Sequence, residues 1–178
     1  MRSRARALVA RTLREAAAAF ERIGFRDVGE RDRLAPVLER DGLRIRLEMR
    51  PHGRVFGGSY ALDVATAEPV LPATGGLVGR GRGGVRLSGI TFSARRRGDE
   101  AGSRLAASLS ADDALQEAVA RVHFERVWVE PDGRPVVRHV GGAVVWMAFP
   151  PLVRAVPLVP EQAEAVAVAL AAFAVAGR

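Results

Sequence analysis

The chain has 178 residues with 27 Arg and no Lys, 20 acidic residues, three His, no Cys and a formal net charge of +7. This length suits one domain with a substantial core, and the lack of Cys excludes disulfides, a thiolate nucleophile and a Cys-based zinc site. Charged residues interrupt the first twenty residues, and the longest apolar run, Val140 to Val153, is too short to span a membrane, so we expect a cytoplasmic protein without a membrane span.

The N-terminal segment predicts a helix followed by a β-hairpin. Apolar residues recur at helical spacing from Val9 to Ile23, and Gly24 follows as a stop signal. Apolar and charged residues then alternate from Leu43 to Arg50, which is typical of a half-buried strand. A turn at residues 51–53, containing His52, is expected to lead into a second, antiparallel strand with Phe56, Tyr60, Leu62 and Val64 on one face.

The stretch from Leu71 to Arg86, LPATGGLVGRGRGGVR, matches three short motifs. An L-P-x-T-G sorting signal requires a position near the C-terminus of a secreted chain, and about a hundred residues follow it here. A G-x-G-x-x-G phosphate loop requires a helix after it, whereas Val85 begins an apparent strand. We therefore predict a flexible Gly/Arg-rich loop at about residues 70–84.

The same stretch supports one alternative function, which is weak and non-specific binding of nucleic acid. Arginines without a base-reading element contact only phosphates, and such binding depends strongly on salt. A strand between the two Arg clusters would hold them at its opposite ends instead of in one patch. The candidate residues are Arg80, Arg82, Arg86, Arg95, Arg96 and Arg97.

The rest of the chain predicts a helical pair, further strands and a closing helix. The third strand, from Val85 to Phe92, changes phase near Gly89. Two short helices are expected at 103–109 and 111–120, with Ser110 as an N-cap, and strands at 122–130, 135–140 and 143–149. A last helix is expected from Pro160 to Ala176. We therefore predict one α+β domain over residues 1–178, in which these helices pack on an antiparallel sheet of about five or six strands.

Candidates for catalysis are few. His123 and His139 are the histidines outside the predicted turn, and no metal-ligand spacing or nucleophile motif surrounds them. We therefore expect no metal and no cofactor. An enzyme that uses His139 or His123 is the third-ranked hypothesis.

A ligand site is predicted on the hairpin that contains Glu130-Pro-Asp-Gly-Arg134. A two-residue turn at Asp132-Gly133 would place Arg126 directly opposite His139. Phe124 and Trp128 would flank this pair on the same face of the sheet. An Arg and a His between two aromatic rings could hold a carboxylate or another small anion.

The stretch HVGGAVVWMAFPPLVRAVPLVPEQ, with the strands LRIRLEMRP and HFERVWVE, resembles an uncharacterised bacterial family, domain of unknown function 3156. The resemblance spans most of the chain and implies no activity or catalytic residue. Our first hypothesis is a non-catalytic domain that binds a partner protein or a small acidic ligand. The sequence leaves open whether the chain forms a homodimer.

Overall fold

The computed structural model describes residues 2–29, 35–54, 57–82, 89–147 and 152–177, and only the backbone of residues 2–6, 53, 54 and 57. The described residues form four helices and nine strands, which confirms the predicted α+β class but exceeds the predicted number of strands. In chain order these are α1 (Arg2–Glu21), β1 (Arg26–Asp27), β2 (Val37–Arg40), β3 (Leu43–Arg54), β4 (Gly57–Thr66), β5 (Leu77–Arg82), β6 (Gly89–Ala94), α2 (Glu100–Ala111), α3 (Asp113–Ala120), β7 (Phe124–Val129), β8 (Pro135–Met147), β9 (Leu152–Val156) and α4 (Pro160–Ala176).

The chain divides into two compact units. The first unit contains Met1–Val64 with Arg138–Glu164, and the second contains Ala65–Val137 with Ala165–Arg178. The strands β4 and β8 and the helix α4 each continue from one unit into the other. The β1–β2, β2–β3, β5–β6, β5–β7 and β8–β9 pairings are antiparallel, as predicted.

The first unit places α1 on a sheet with the strand order β1-β2-β3-β4-β8-β9. The helix contacts β3, and the buried side chains of Leu13 and Phe20 on α1 and of Ile45 and Leu47 on β3 contribute to the core. Gly24 has a φ of +96° three residues after the end of α1, which is the left-handed stop that the sequence predicted.

A tight turn that the sequence analysis missed joins β2 to β3. Arg40 pairs with Leu43, so the loop contains only Asp41 and Gly42, whose φ values are 52° and 80°. This is the type I′ geometry that Asp-Gly favours. The predicted turn at residues 51–53 is wrong, because β3 continues to Arg54 and His52 lies within the strand.

The second unit packs α2 and α3 against β6, in a sheet with the strand order β8-β7-β5-β6. Phe92 on β6 makes an edge-to-face contact with Phe173 on α4, with 5.7 Å between ring centroids. The predicted N-cap at Ser110 is wrong. Ser110 lies inside α2, and Asp112 caps α3 by accepting a hydrogen bond from the Leu115 N–H at 2.8 Å.

The predicted flexible loop at about 70–84 is wrong for residues 77–82, whereas residues 70–76 form neither helix nor strand. Residues 77–82 form β5, which pairs with both β6 and β7, and Leu77 is fully buried. A Cβ atom on Gly79 would lie 2.4 Å from Cδ1 of Ile90, so this glycine allows close packing between strands. Residues 83–88, which include Arg86 and the predicted strand start at Val85, lie outside the described residues.

The end of the chain also differs from the prediction. The two strands expected at 135–140 and 143–149 are one strand, β8, as far as Met147, and the expected end at Phe149 lies outside the described residues. The strand β9 was not predicted. The helix α4 begins and ends where the sequence predicted.

Asp99 holds the segment before β5 against α2, and we predict that this contact depends on its charge. One carboxylate oxygen accepts from the Gly102 N–H at 2.8 Å and the other accepts from the Gly75 N–H at 2.7 Å. These hydrogen bonds, the one from Gly102 first, hold the pKa of Asp99 below its usual value. Because the folded-state pKa is lowered, the stabilisation is complete above the ordinary aspartate pKa, about 4, and is lost as pH falls through the folded-state value.

The Asp99→Asn variant should therefore show a weaker decrease in the urea midpoint between about pH 4 and pH 2 than the wild type. Amide hydrogen exchange at Gly75 and Gly76 should also become faster. Asp113→Asn, in the first turn of α3, is the control. An unchanged pH profile together with unchanged exchange at Gly75 would contradict the assignment.

Candidate binding site

One face of the first unit's sheet carries a set of charged side chains, which we call the charged face. Ile45 and Leu47 on β3 point into the core, so the alternate residues Arg44, Arg46 and Glu48 point to the other side. The charged face consists of Arg44, Arg46, Glu48 and Arg50 on β3, Asp63 on β4 and Arg138 on β8.

A buried ion pair lies at the centre of this face. The Nε of Arg138 donates to Oδ1 of Asp63 at 2.6 Å, and Nη2 of Arg138 donates to Oδ2 at 2.9 Å. The side chains are 8% and 2% exposed. This two-bond geometry satisfies both carboxylate oxygens, as a buried acid requires.

From this pair a row of alternating charges runs toward solvent. Nε of Arg50 lies 3.3 Å from Oδ2 of Asp63, and Nη2 of Arg50 donates to Glu48 at 3.2 Å. Nη1 of Arg46 lies 3.9 Å from Glu48, which is too far for a hydrogen bond. The row therefore contains three Arg and two acidic residues, and the loosest contact is at its outer end.

Arg46 is the member of this row that can most readily engage a ligand. Its side chain is 40% exposed, yet its Nε is buried and has no hydrogen-bond partner among the described residues. A buried donor without an acceptor costs about 1–3 kcal/mol. If the Arg46 side chain turns toward a hydrogen-bond acceptor on a ligand, no existing hydrogen bond of Nε is broken.

The predicted pairing of Arg126 with His139 rested on a register that the structure contradicts. The Gly133 N–H donates to the Glu130 carbonyl, and the Glu130 N–H donates to the Arg134 carbonyl. The loop therefore has three residues, with Gly133 at a φ of +93°, and the strand register differs by one residue from the predicted one. A shift of one residue exchanges the two faces of a strand, so the predicted alignment loses its basis.

The four predicted ligand residues also have different surroundings. Arg126 is exposed, and its guanidinium lies 5.6 Å from the centroid of the Trp128 ring. Trp128 is buried and donates from Nε1 to Glu130 at 2.7 Å, while Phe124 is half-buried. His139 belongs to the other compact unit and is 1% exposed. We therefore do not include these residues in the proposed site.

The two histidines named as candidates for catalysis also have different surroundings. Nδ1 of His139 accepts a hydrogen bond from the Gly141 N–H at 2.7 Å, so its lone pair is already engaged. His123 is exposed just before β7. Among the described residues, no group of three or more His, Asp and Glu side chains is placed to hold a metal ion.

The described arginines among those named for nucleic-acid binding form two separate groups, as predicted, and Arg86 lies outside the described residues. Arg82 pairs with Gly89 at one end of the β5–β6 hairpin, where Arg80 also lies. Leu77 pairs with Ala94 at the other end, and the second group, Arg95, Arg96 and Arg97, follows directly. Arg82 donates to Gln116 at 3.0 Å, and Arg95 lies 3.8 Å from Glu130.

A cavity of about 390 Å³ lies elsewhere in the first unit. Arg40, one of its lining residues, already makes hydrogen bonds within the protein. Arg40 donates to the Ile23 carbonyl, makes two hydrogen bonds to Glu164 and lies 4.9 Å from the centroid of the Phe25 ring. The hydrogen bond to Glu164 raises the pKa of Arg40. The lining residues are Gly24, Arg26, Val28, Glu39, Arg40 and Asp41.

The sequence contained a signal for the buried pair that our sequence analysis did not use. Asp63 stands in Ala-Leu-Asp-Val-Ala and Arg138 stands in Val-Val-Arg-His-Val, so each places a charge in a largely apolar stretch. A charge in such a position requires a partner of opposite sign. The pattern therefore indicates two buried charges, although it does not show that they pair with each other.

The fold and the charged face define an α+β protein with a basic, partly exposed sheet surface. Residues 19–176 match the family model described as "Protein of unknown function (DUF3156)", so the chain belongs to this family. No curated protein and no solved structure matches the chain. Among the described residues, no helix is long and apolar enough to cross a membrane.

The buried pair of Asp63 and Arg138 yields a prediction about stability. Arg138→Met should lower the free energy of unfolding by about 3–5 kcal/mol, because it leaves a buried carboxylate without its main counter-charge. The double variant Asp63→Leu/Arg138→Met should recover most of this loss, because well-packed apolar groups replace a buried ion pair at little cost. Urea denaturation monitored by circular dichroism measures both.

The matched control is Arg121→Met, which removes an exposed arginine paired with Glu117 one helical turn away. It should cost less than about 1 kcal/mol. If Arg138→Met costs no more than Arg121→Met, the buried pair does not stabilise the fold.

Proposed function

We propose that the protein is a non-catalytic binding domain whose charged face docks an acidic segment of a partner protein. The observation that carries this proposal is the row of alternating charges that ends in the half-exposed Arg46. Its arginines outnumber its acids, and carboxylates are the natural complement of guanidinium groups.

The inner part of the row supports the same function. Arg50 is held by Glu48 and Asp63, and Asp63 is held in turn by Arg138. A side chain that is already ordered loses little entropy when it binds a ligand. An acidic segment would thus meet one adaptable arginine, Arg46, beside a fixed one.

We predict that a fluorescein-labelled Glu-rich peptide binds the wild-type protein and binds Arg46→Gln about three- to tenfold more weakly, as measured by fluorescence anisotropy at low salt. Arg104→Gln is the matched control, because it removes the same charge from a highly exposed side chain on α2. It should change the affinity by less than about twofold, since only the net charge is altered.

Two further titrations distinguish the sources of acidic groups. Citrate or inorganic phosphate that binds as tightly as the peptide would indicate a small acidic ligand instead of a protein segment. Equal weakening of the peptide complex by Arg46→Gln and Arg104→Gln would contradict the proposal, because the attraction would then depend on net charge alone.

Nucleic-acid binding is the second candidate, favoured by the exposed Arg80, Arg96 and Arg97. The separation of the two arginine groups along the β5–β6 hairpin argues against one continuous phosphate-binding path. A single-stranded oligonucleotide tested at two salt concentrations separates the functions. Tight binding that persists at high salt and is unaffected by Arg46→Gln would favour this candidate over ours.

A further inference from the structure

The tip of the β8–β9 hairpin exposes several large apolar side chains. Met147 pairs with Leu152, Trp146 with Val153 and Val145 with Arg154. We call the exposed group Val145, Met147, Leu152 and Val153 the apolar end; these side chains are 39%, 37%, 47% and 36% exposed. The sequence contains no ionisable residue from Gly141 to Val153.

The apolar side chains point to both sides of the hairpin. Residues directly opposite each other on paired strands share a face, so Met147 and Leu152 lie on one side and Val153 lies on the other with the half-buried Trp146. A protein partner that lay on one face would leave the other face in water. An apolar medium that surrounds the tip would cover both faces.

A cationic side chain lies just behind this tip. Arg154 is exposed and follows Leu152 by two residues, which is about 7 Å along a strand. A Cβ atom on Gly58 would lie 2.7 Å from Nε1 of Trp146 and 2.8 Å from the carbonyl of His52. The end of β3, with the exposed His52, is therefore close to the end of β8.

We infer that the apolar end inserts into the interfacial region of an anionic lipid bilayer. Apolar side chains of peripheral proteins are buried about 5–10 Å into the headgroup and acyl boundary, which fits the spacing between Leu152 and Arg154. The guanidinium of Arg154 then lies among the lipid phosphates, and the net charge of +7 attracts the protein to a negative surface. This surface is separate from Arg46, so the inference does not depend on the proposed function.

Vesicle co-sedimentation with the full chain tests this inference. The wild type should bind vesicles of equal parts phosphatidylcholine and phosphatidylglycerol, and should bind pure phosphatidylcholine vesicles at least about tenfold more weakly. Met147→Asp and Leu152→Asp should each lower partitioning into the anionic vesicles by about tenfold or more, because a carboxylate would enter the apolar layer.

Val28→Asp and Arg26→Gln change the net charge by the same amount on or directly after β1, at the other edge of the first unit's sheet. Both should reduce partitioning by less than about fivefold. The inference is overturned if the wild type does not bind the anionic vesicles, or if Met147→Asp and Leu152→Asp lose no more than these two controls.

A fluorescence measurement tests insertion without altering the apolar end. The chain has two tryptophans, Trp128 and Trp146, so Trp128→Phe leaves the one at the hairpin tip. Its emission should shift to shorter wavelength when anionic vesicles are added, because the indole enters a less polar region. An unchanged spectrum under conditions in which the protein sediments with vesicles would show that another surface binds the lipid.

Discussion

The ion pair between Asp63 and Arg138 is the constraint around which the first unit is organised. Removing two charges from water costs several kcal/mol for each ion, and the two short hydrogen bonds between them, with Arg50 3.3 Å from Asp63, help to offset that cost. Both residues lie at the boundary of the first unit. The part of β4 in this unit ends at Val64, and the part of β8 in this unit begins at Arg138. The geometry of β4 against β8 must therefore be correct before the charged face can exist.

The elements with a strong local pattern were predictable. Helices α1 and α4 and the start of β3 each have apolar residues at the spacing of their structure, and the structure confirms them. The glycine-rich stretch before Arg82 was misjudged, because low apolar content was taken to mean flexibility. Gly79 instead allows Ile90 to approach, which is a property of the packed neighbour and cannot be read from the local composition.

The candidate site was predictable only in part. The apolar residues around Asp63 and Arg138 indicate that each is a buried charge. The two residues lie 75 positions apart, so predicting that they pair requires knowledge of the strand order. The register assumed for the Arg126 and His139 hypothesis was wrong for a different reason. A loop of two residues and a loop of three residues both suit Pro-Asp-Gly, and the choice between them decides which side chains share a face.

The contact between Arg40 and Glu164 has a consequence for the order in which the protein forms during synthesis. The two residues are 124 positions apart, and Arg40 also binds the Ile23 carbonyl after α1. Translation proceeds at about 5–20 residues per second, so residues 65–137 leave the ribosome before any part of β8 that belongs to the first unit. The first unit therefore cannot complete its sheet until the C-terminal third of the chain has emerged. Until then Asp63 and Arg40 remain hydrated.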